Sequence, residues 1–96
     1  MYQKLRKELA NLIDATENKD ELNVLLEGLL TPSEIEEIMF RWRLVLRLIQ
    51  GQPQRDISAD LGVSLGKIAR GSRLLKYGPP EFRALVEALN ARVGKK

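Results

Sequence analysis

Apolar residues recur along the chain at helical spacing, and no stretch alternates with the period of a strand. Leu5, Leu9, Leu12 and Ile13 mark a first amphipathic helix; Leu22, Leu25, Leu26, Leu29 and Leu30 mark a second, shorter one. Thr31-Pro32-Ser33-Glu34 specifies the start of a third, with Thr31 as N-cap, Pro32 at the first helical position and Glu34 completing a capping box. Ile35, Ile38, Met39, Trp42, Val45, Leu46 and Ile49 are expected on its inner side, and Gly51 followed by Pro53 ends it. Gln54 to Leu61 reads as a short helix with Ile57 and Leu61 inward. Gly62-Val63-Ser64 reads as a turn, because glycine tolerates positive φ and Ser64 can cap the helix after it. In that next helix Ile68 and Leu75 point inward, seven residues apart. A last helix, 79–92, opens at Pro79-Pro80-Glu81 with Phe82, Leu85, Val86 and Leu89 inward. The tail Val93-Gly94-Lys95-Lys96 is expected to fray.

A length of 96 residues suits one all-α domain, 1–96, with only a modest capacity to bury a core. The leucines of segment 2–30 are many for so little chain. They either form an ordinary core face or, as expected here, dimerisation helices that bury their leucines against a second subunit. No apolar run approaches the ~20 residues of a membrane helix. The N-terminus carries acids within its apolar pattern and lacks the cleavage site of a signal peptide. Cysteine is absent, which fits a reducing cytoplasm, and histidine is absent, which excludes the usual imidazole metal sites and His-based acid–base catalysis. No nucleophile–base pair or phosphate loop appears, so an enzyme is not expected. The net charge of +3 hides a division: residues 1–40 balance at −5 and residues 41–96 at +8. A basic second half suggests a polyanion such as nucleic acid, the alternative being charges that only solubilise exposed helix faces.

Segment 54–76 sharpens that choice. Ile57, the small Ser58, then Gly62, Val63 and an apolar Ile68 five residues further on match a helix-turn-helix, though a helical hairpin within a core shares part of the pattern. At 100° per residue, Ile68, Gly71, Ser72 and Leu75 share one face of the second helix; Gly66, Ala69, Arg70 and Arg73 share the other. The outward face is small near its start and basic further on. Small residues let the helix backbone approach base edges, Lys67, Arg73 and Lys76 suit phosphates, and arginine also pairs bidentately with guanine. Arg55 is placed to meet the DNA backbone. The residues expected at DNA are therefore Arg55, Ser64, Leu65, Gly66, Lys67, Ala69, Arg73 and Lys76. Leu74 falls between the faces, and Gly66 and Gly71 each weaken the helix by ~1 kcal/mol relative to alanine.

Thr31-Pro32, Arg41, Arg43, Gly51, Gln54-Arg55-Asp56-Ile57 and above all Ile68-Ala69-Arg70-Gly71-Ser72 followed by Leu75-Lys76 resemble the bacterial tryptophan (Trp) repressor family. The likeness covers roughly residues 22–90. It implies an all-α, six-helix protomer with a helix-turn-helix, intertwined with a second copy as a homodimer. It further implies L-tryptophan as corepressor, no other cofactor, and palindromic double-stranded operator DNA as partner. The arginine matching Arg70 would meet the ligand carboxylate and lie over the indole, with the one matching Arg41 stacked on the other side. Gly71 would leave room for the ring, and Gly28, Leu30 and Thr31 would offer carbonyls to the ammonium and a hydroxyl to the carboxylate. A weak reading helix propped by a ligand would act as a switch. Leu74 stands where the best-known members carry a hydroxyl, Gly28 replaces a larger apolar residue, and Gln52-Pro53 makes a connection one residue shorter than usual. A constitutive DNA-binding regulator on the same fold, and a helical protein-interaction module, are the competing functions.

Overall fold

The computed structural model describes residues 1–94, and among these there are six α-helices and no strand: α1 Tyr2–Ala15, α2 Lys19–Leu29, α3 Pro32–Ile49, α4 Gln54–Leu61, α5 Leu65–Tyr77 and α6 Pro80–Gly94. They divide into two compact units, the first Met1–Glu36 and the second beginning at Glu37. None of the helices among the described residues is long and apolar enough to cross a membrane.

In the first unit local hydrogen bonds define the helix ends. At the end of α1 the Thr16 hydroxyl and N–H both donate to the Ile13 carbonyl, at 2.7 and 3.2 Å. Asn18 caps α2 by accepting from the Glu21 N–H at 2.9 Å, and the Glu21 carboxylate accepts from the Glu17 N–H at 2.9 Å. This start went unread in the sequence, although an Asn followed three residues later by Glu signals one; it differs from a full capping box because Glu21 reaches the N–H before the cap. The expected box at α3 is present: the Thr31 N–H donates to Glu34 Oε1 at 2.9 Å, and the Glu34 N–H donates to Thr31 Oγ1 at 3.1 Å. No residue of α1 or α2 is buried. Leu5, Leu9 and Leu12 form one stripe at 55%, 48% and 49% exposure.

The second unit holds the core. Leu44 of α3, Ile57 of α4 and Ile68 of α5 meet in one cluster, with Leu48, Leu61 and Val63 packed against it. α5 packs against both α4 and α6, and Val86 of α6 is also buried. The inner side of α3 differs from the sequence expectation. Val45 is buried, and Trp42, Leu46 and Ile49 are half-buried, but Ile35, Ile38 and Met39 are exposed, while Leu44 and Leu48 face the core. Apolar residues cover more than one face of this helix, so period alone did not select the face that α4 and α5 use. On α6 Leu85 is likewise exposed beside buried Val86. α6 runs through Val93 to Gly94 as helix rather than fraying at Val93. Lys95 and Lys96, also expected to fray, lie outside the described residues.

The Thr31 backbone N–H, and then its hydroxyl, hold the Glu34 carboxyl below its ordinary value of 4.5. A folded-state value below the unfolded one means that the contribution to stability is present above about pH 4.5 and is lost as the pH falls through the folded value. NMR titration should therefore find Glu34 with a midpoint below 4.5, and Thr31→Ala should move that midpoint upward. The backbone N–H stays in that variant, so an unchanged midpoint would show that the hydroxyl adds nothing to what the N–H does.

Candidate nucleic-acid interface

The α4–α5 pair is built around its turn. Gly62 closes α4 in the left-handed region at φ +67, with its N–H on the Ser58 carbonyl at 2.9 Å. A side chain in that conformation is strained, so glycine is the natural occupant. The Ser58 hydroxyl then donates to the Val63 carbonyl at 2.6 Å and is part-buried. The sequence singled out Ser58 only as small; its hydroxyl also satisfies a turn carbonyl that neither helix can pair. Ser64 caps α5 by accepting from the Lys67 N–H at 3.3 Å.

The face assignment on α5 agrees with the wheel. Ile68 is fully buried, and Gly71, Ser72 and Leu75 are half-buried. Leu65, Gly66, Lys67, Ala69, Arg70, Arg73 and Lys76 are exposed, as are Ser64 and Arg55. The exposed face is thus small at its start, where Gly66 and Ala69 lie, and cationic beyond. Arg55 opens α4. Among the described residues Arg55, Lys67, Arg70, Arg73 and Lys76 form no ion pair, which leaves five cations free to meet an anion.

The six residues expected at a small ligand fall in both units. Gly28, Leu30 and Thr31 belong to the first; Arg41, Arg70 and Gly71 belong to the second. Gly28 is exposed, Leu30 is half-buried at the end of α2, and the Thr31 hydroxyl already accepts from Glu34. Arg41 is paired with Glu37 one turn earlier at 3.1 Å, with side chains 74% and 59% exposed. Such a surface pair is weak enough to exchange for another partner. Gly71 has a packing explanation of its own: a Cβ there would lie 3.2 Å from both Leu44 Cδ2 and Leu48 Cδ1. Residue 71 thus leaves room for two leucine side chains of α3 against α5, and the two glycines of α5 differ in kind. Around Gly66 the nearest atom to a Cβ would be Ser64 Oγ at an ordinary 3.8 Å. No group of three or more acidic residues among those described is arranged to hold a metal ion.

Helices with this order and this cationic pair define a family by comparison with known sequences. The family model for the Trp repressor protein matches residues 4–90, and the chain belongs to that family. The Trp operon repressor homolog of Pasteurella multocida (strain Pm70) is 41% identical over 64 residues, covering 66% of this chain and 63% of that protein. The homolog of Xylella fastidiosa (strain M23) is 35% identical over 69 residues, covering 71% and 75%. That of Vibrio vulnificus (strain YJ016) is 33% identical over 84 residues, covering 86% and 82%. The chain therefore spans a little under two thirds of the Pasteurella protein and more of the other two.

The glycine contacts yield a paired prediction. Gly66→Ala should stabilise the protein by ~1 kcal/mol, since alanine favours the helix and meets no obstruction. In Gly71→Ala the same gain is opposed by overpacking against a core leucine, of order 1–3 kcal/mol, so the variant should be less stable than the parent. Thermal unfolding of both variants checks this; equal stabilisation would mean that Leu44 and Leu48 yield freely.

Proposed function

We propose that the chain is a sequence-specific DNA-binding transcriptional repressor, with α4 and α5 as its helix-turn-helix and L-tryptophan as corepressor. The observation that carries the reading is the outward face of α5, small and then cationic, on a pair of helices fixed by Gly62, Ser58 and Ser64, in a chain of the Trp repressor family. Helix-turn-helix proteins, Trp repressors among them, place the second helix in the major groove and bind as two-fold dimers to palindromic sites. Gly66 and Ala69 then meet base edges, while Lys67, Arg73, Lys76 and Arg55 meet the phosphates.

The dimer is supported by α1 and α2, which bury nothing within one chain although leucine recurs along both. An intertwined partner would cover those stripes, and residues 1–96 would then make a single domain shared with a second copy. The ligand reading is supported by two guanidinium groups of different freedom: among the described residues Arg70 forms no ion pair, and Arg41 is held only by a surface carboxylate. The Thr31 hydroxyl accepts from the Glu34 N–H and lies at the start of α3, where it could turn its proton from the Glu34 carboxylate to that of a ligand. Carbonyls of Gly28 and Leu30 at the end of α2 would take the ammonium. Such a repressor works in the cytoplasm, beside its operator.

The contact of Gly71 with Leu44 and Leu48 favours a second reading, a constitutive regulator on the same fold, because it explains that glycine without any ligand.

Calorimetric titration separates the two. The corepressor reading expects saturable L-tryptophan binding at one ligand per chain, no heat with L-phenylalanine, and loss of the response in Arg70→Ala with the fold retained. A folded protein that gives no heat at millimolar tryptophan belongs to the constitutive reading. Duplex binding should weaken with salt at a slope of roughly 0.9 per phosphate contact. Failure to bind any duplex at low salt removes both readings. Sedimentation at micromolar concentration should find a dimer; a monomer would remove the intertwined assembly.

A further inference from the structure

The third helix ends in two backbone hydrogen bonds: the Gly51 N–H donates to the Leu48 carbonyl and the Gln52 N–H to the Arg47 carbonyl, each at 3.1 Å. With Gly51 at φ +83 this is a Schellman motif, which folds residue 52 back over residue 47. Those two positions usually carry apolar side chains that touch each other. Here both are polar, and they converge on one acceptor. Arg47 Nη1 donates to Asp60 Oδ2 at 3.0 Å, and Gln52 Nε2 donates to the same oxygen at 2.9 Å. Asp60 lies in the last turn of α4, one residue before Leu61 enters the core cluster. One carboxylate oxygen therefore joins the end of α3, the connection and the end of α4.

The Arg47 and Asp60 side chains are 33% and 54% exposed, so water and salt screen the pair and it adds little to overall stability. Its geometry is more specific than its strength. Ile57 and Leu61, four residues apart, hold α4 to the core along one line of the helix, which leaves a short helix some freedom to rock about that line. Two donors fixed by the Schellman turn, meeting one oxygen on the rim of α4, supply an attachment to one side of it. The turn carries the orientation onward, because Ser58 is bonded to Val63 and Ser64 caps α5.

We propose that Asp60 is a positioning residue: through Arg47 and Gln52 it fixes the orientation of α4, and with it the angle at which the outward face of α5 meets a duplex. This rests on the reading of α4 and α5 as a DNA interface. The signs of its effects make it testable. Removing the carboxylate frees the Arg47 charge, which strengthens attraction to any duplex. It also loosens α4, which weakens discrimination between sequences. A residue that merely supported the fold would weaken selected and random binding together.

The test compares the full chain with Asp60→Asn, Asp60→Glu and the exchanged pair Arg47→Asp/Asp60→Arg. One readout is amide hydrogen exchange in α4 and α5 relative to α6. The other is the ratio of affinities for a duplex selected from a random library and for an unselected one, at fixed salt. In Asp60→Asn, exchange in α4 should quicken by about 2–5-fold, the factor to which an exposed ion pair converts. The affinity ratio should fall by a similar factor, with random-duplex affinity equal or higher. The exchanged pair should recover part of both, and Asp60→Glu should lie between parent and Asp60→Asn. Unchanged exchange in α4, or equal loss of selected and random binding, would overturn the proposal. If the parent binds no duplex, the DNA reading falls, and the exchange rates of α4 still decide whether the clamp exists.

Discussion

The packing of Leu44 and Leu48 against α5 at Gly71 is the constraint on which the second unit depends. The side chains at a contact between helices set how they fit together. Residue 71 has none, and Leu44 and Leu48 occupy the space. Leu44 then reaches Ile57 and Ile68 together, which is what makes one cluster out of three helices. Neither α4, of eight residues, nor α5, interrupted by two glycines, would be stable alone. Their order comes from that cluster, so the cationic face of α5 is held in place from behind, by apolar contacts on the side away from solvent.

Much of this was legible in the sequence, for reasons that differ by residue. Thr31 and Glu34 declare a helix start because the bonds they make span three residues, and a pattern that local is complete within the sequence. Gly62 is legible because so few residues accept a positive φ. The inner face of α5 was legible because Ile68 and Leu75, seven residues apart, return to the same side of a helix. In α3 the same method failed: Leu44 and Leu48 were passed over for Ile35, Ile38 and Met39, because a helix apolar on several sides needs its neighbours to say which side is the core. Arg47, Gln52 and Asp60 went unread for a simpler reason. Residues 47 and 60 are thirteen apart, and no local rule brings an arginine at one helix end to an aspartate on the next. The exposure of the candidate DNA residues was legible because it follows the wheel. The six ligand candidates came through family likeness, and only the coordinates name Leu44 and Leu48 as the side chains that pack at Gly71.

The two units also differ in how they are held. In the first, order comes from caps and short-range bonds, and its apolar stripe lies open. In the second, it comes from burial. A partner that covers the stripe on α1 and α2 would convert the first kind of order into the second. That agrees with the excess of leucine there, which capping alone does not require.

The short helix α4 is bracketed by the two glycines with positive φ, Gly51 and Gly62. A single base change in a glycine codon yields alanine, serine, cysteine, valine, aspartate, glutamate, arginine or tryptophan, and among these only aspartate visits the left-handed region with any ease. Chance mutation at either end of α4 is therefore almost always harmful. The outward residues of α5 carry no such burden, since they touch little of their own chain. Substitution is therefore far freer in what α5 presents than in the bracket around α4.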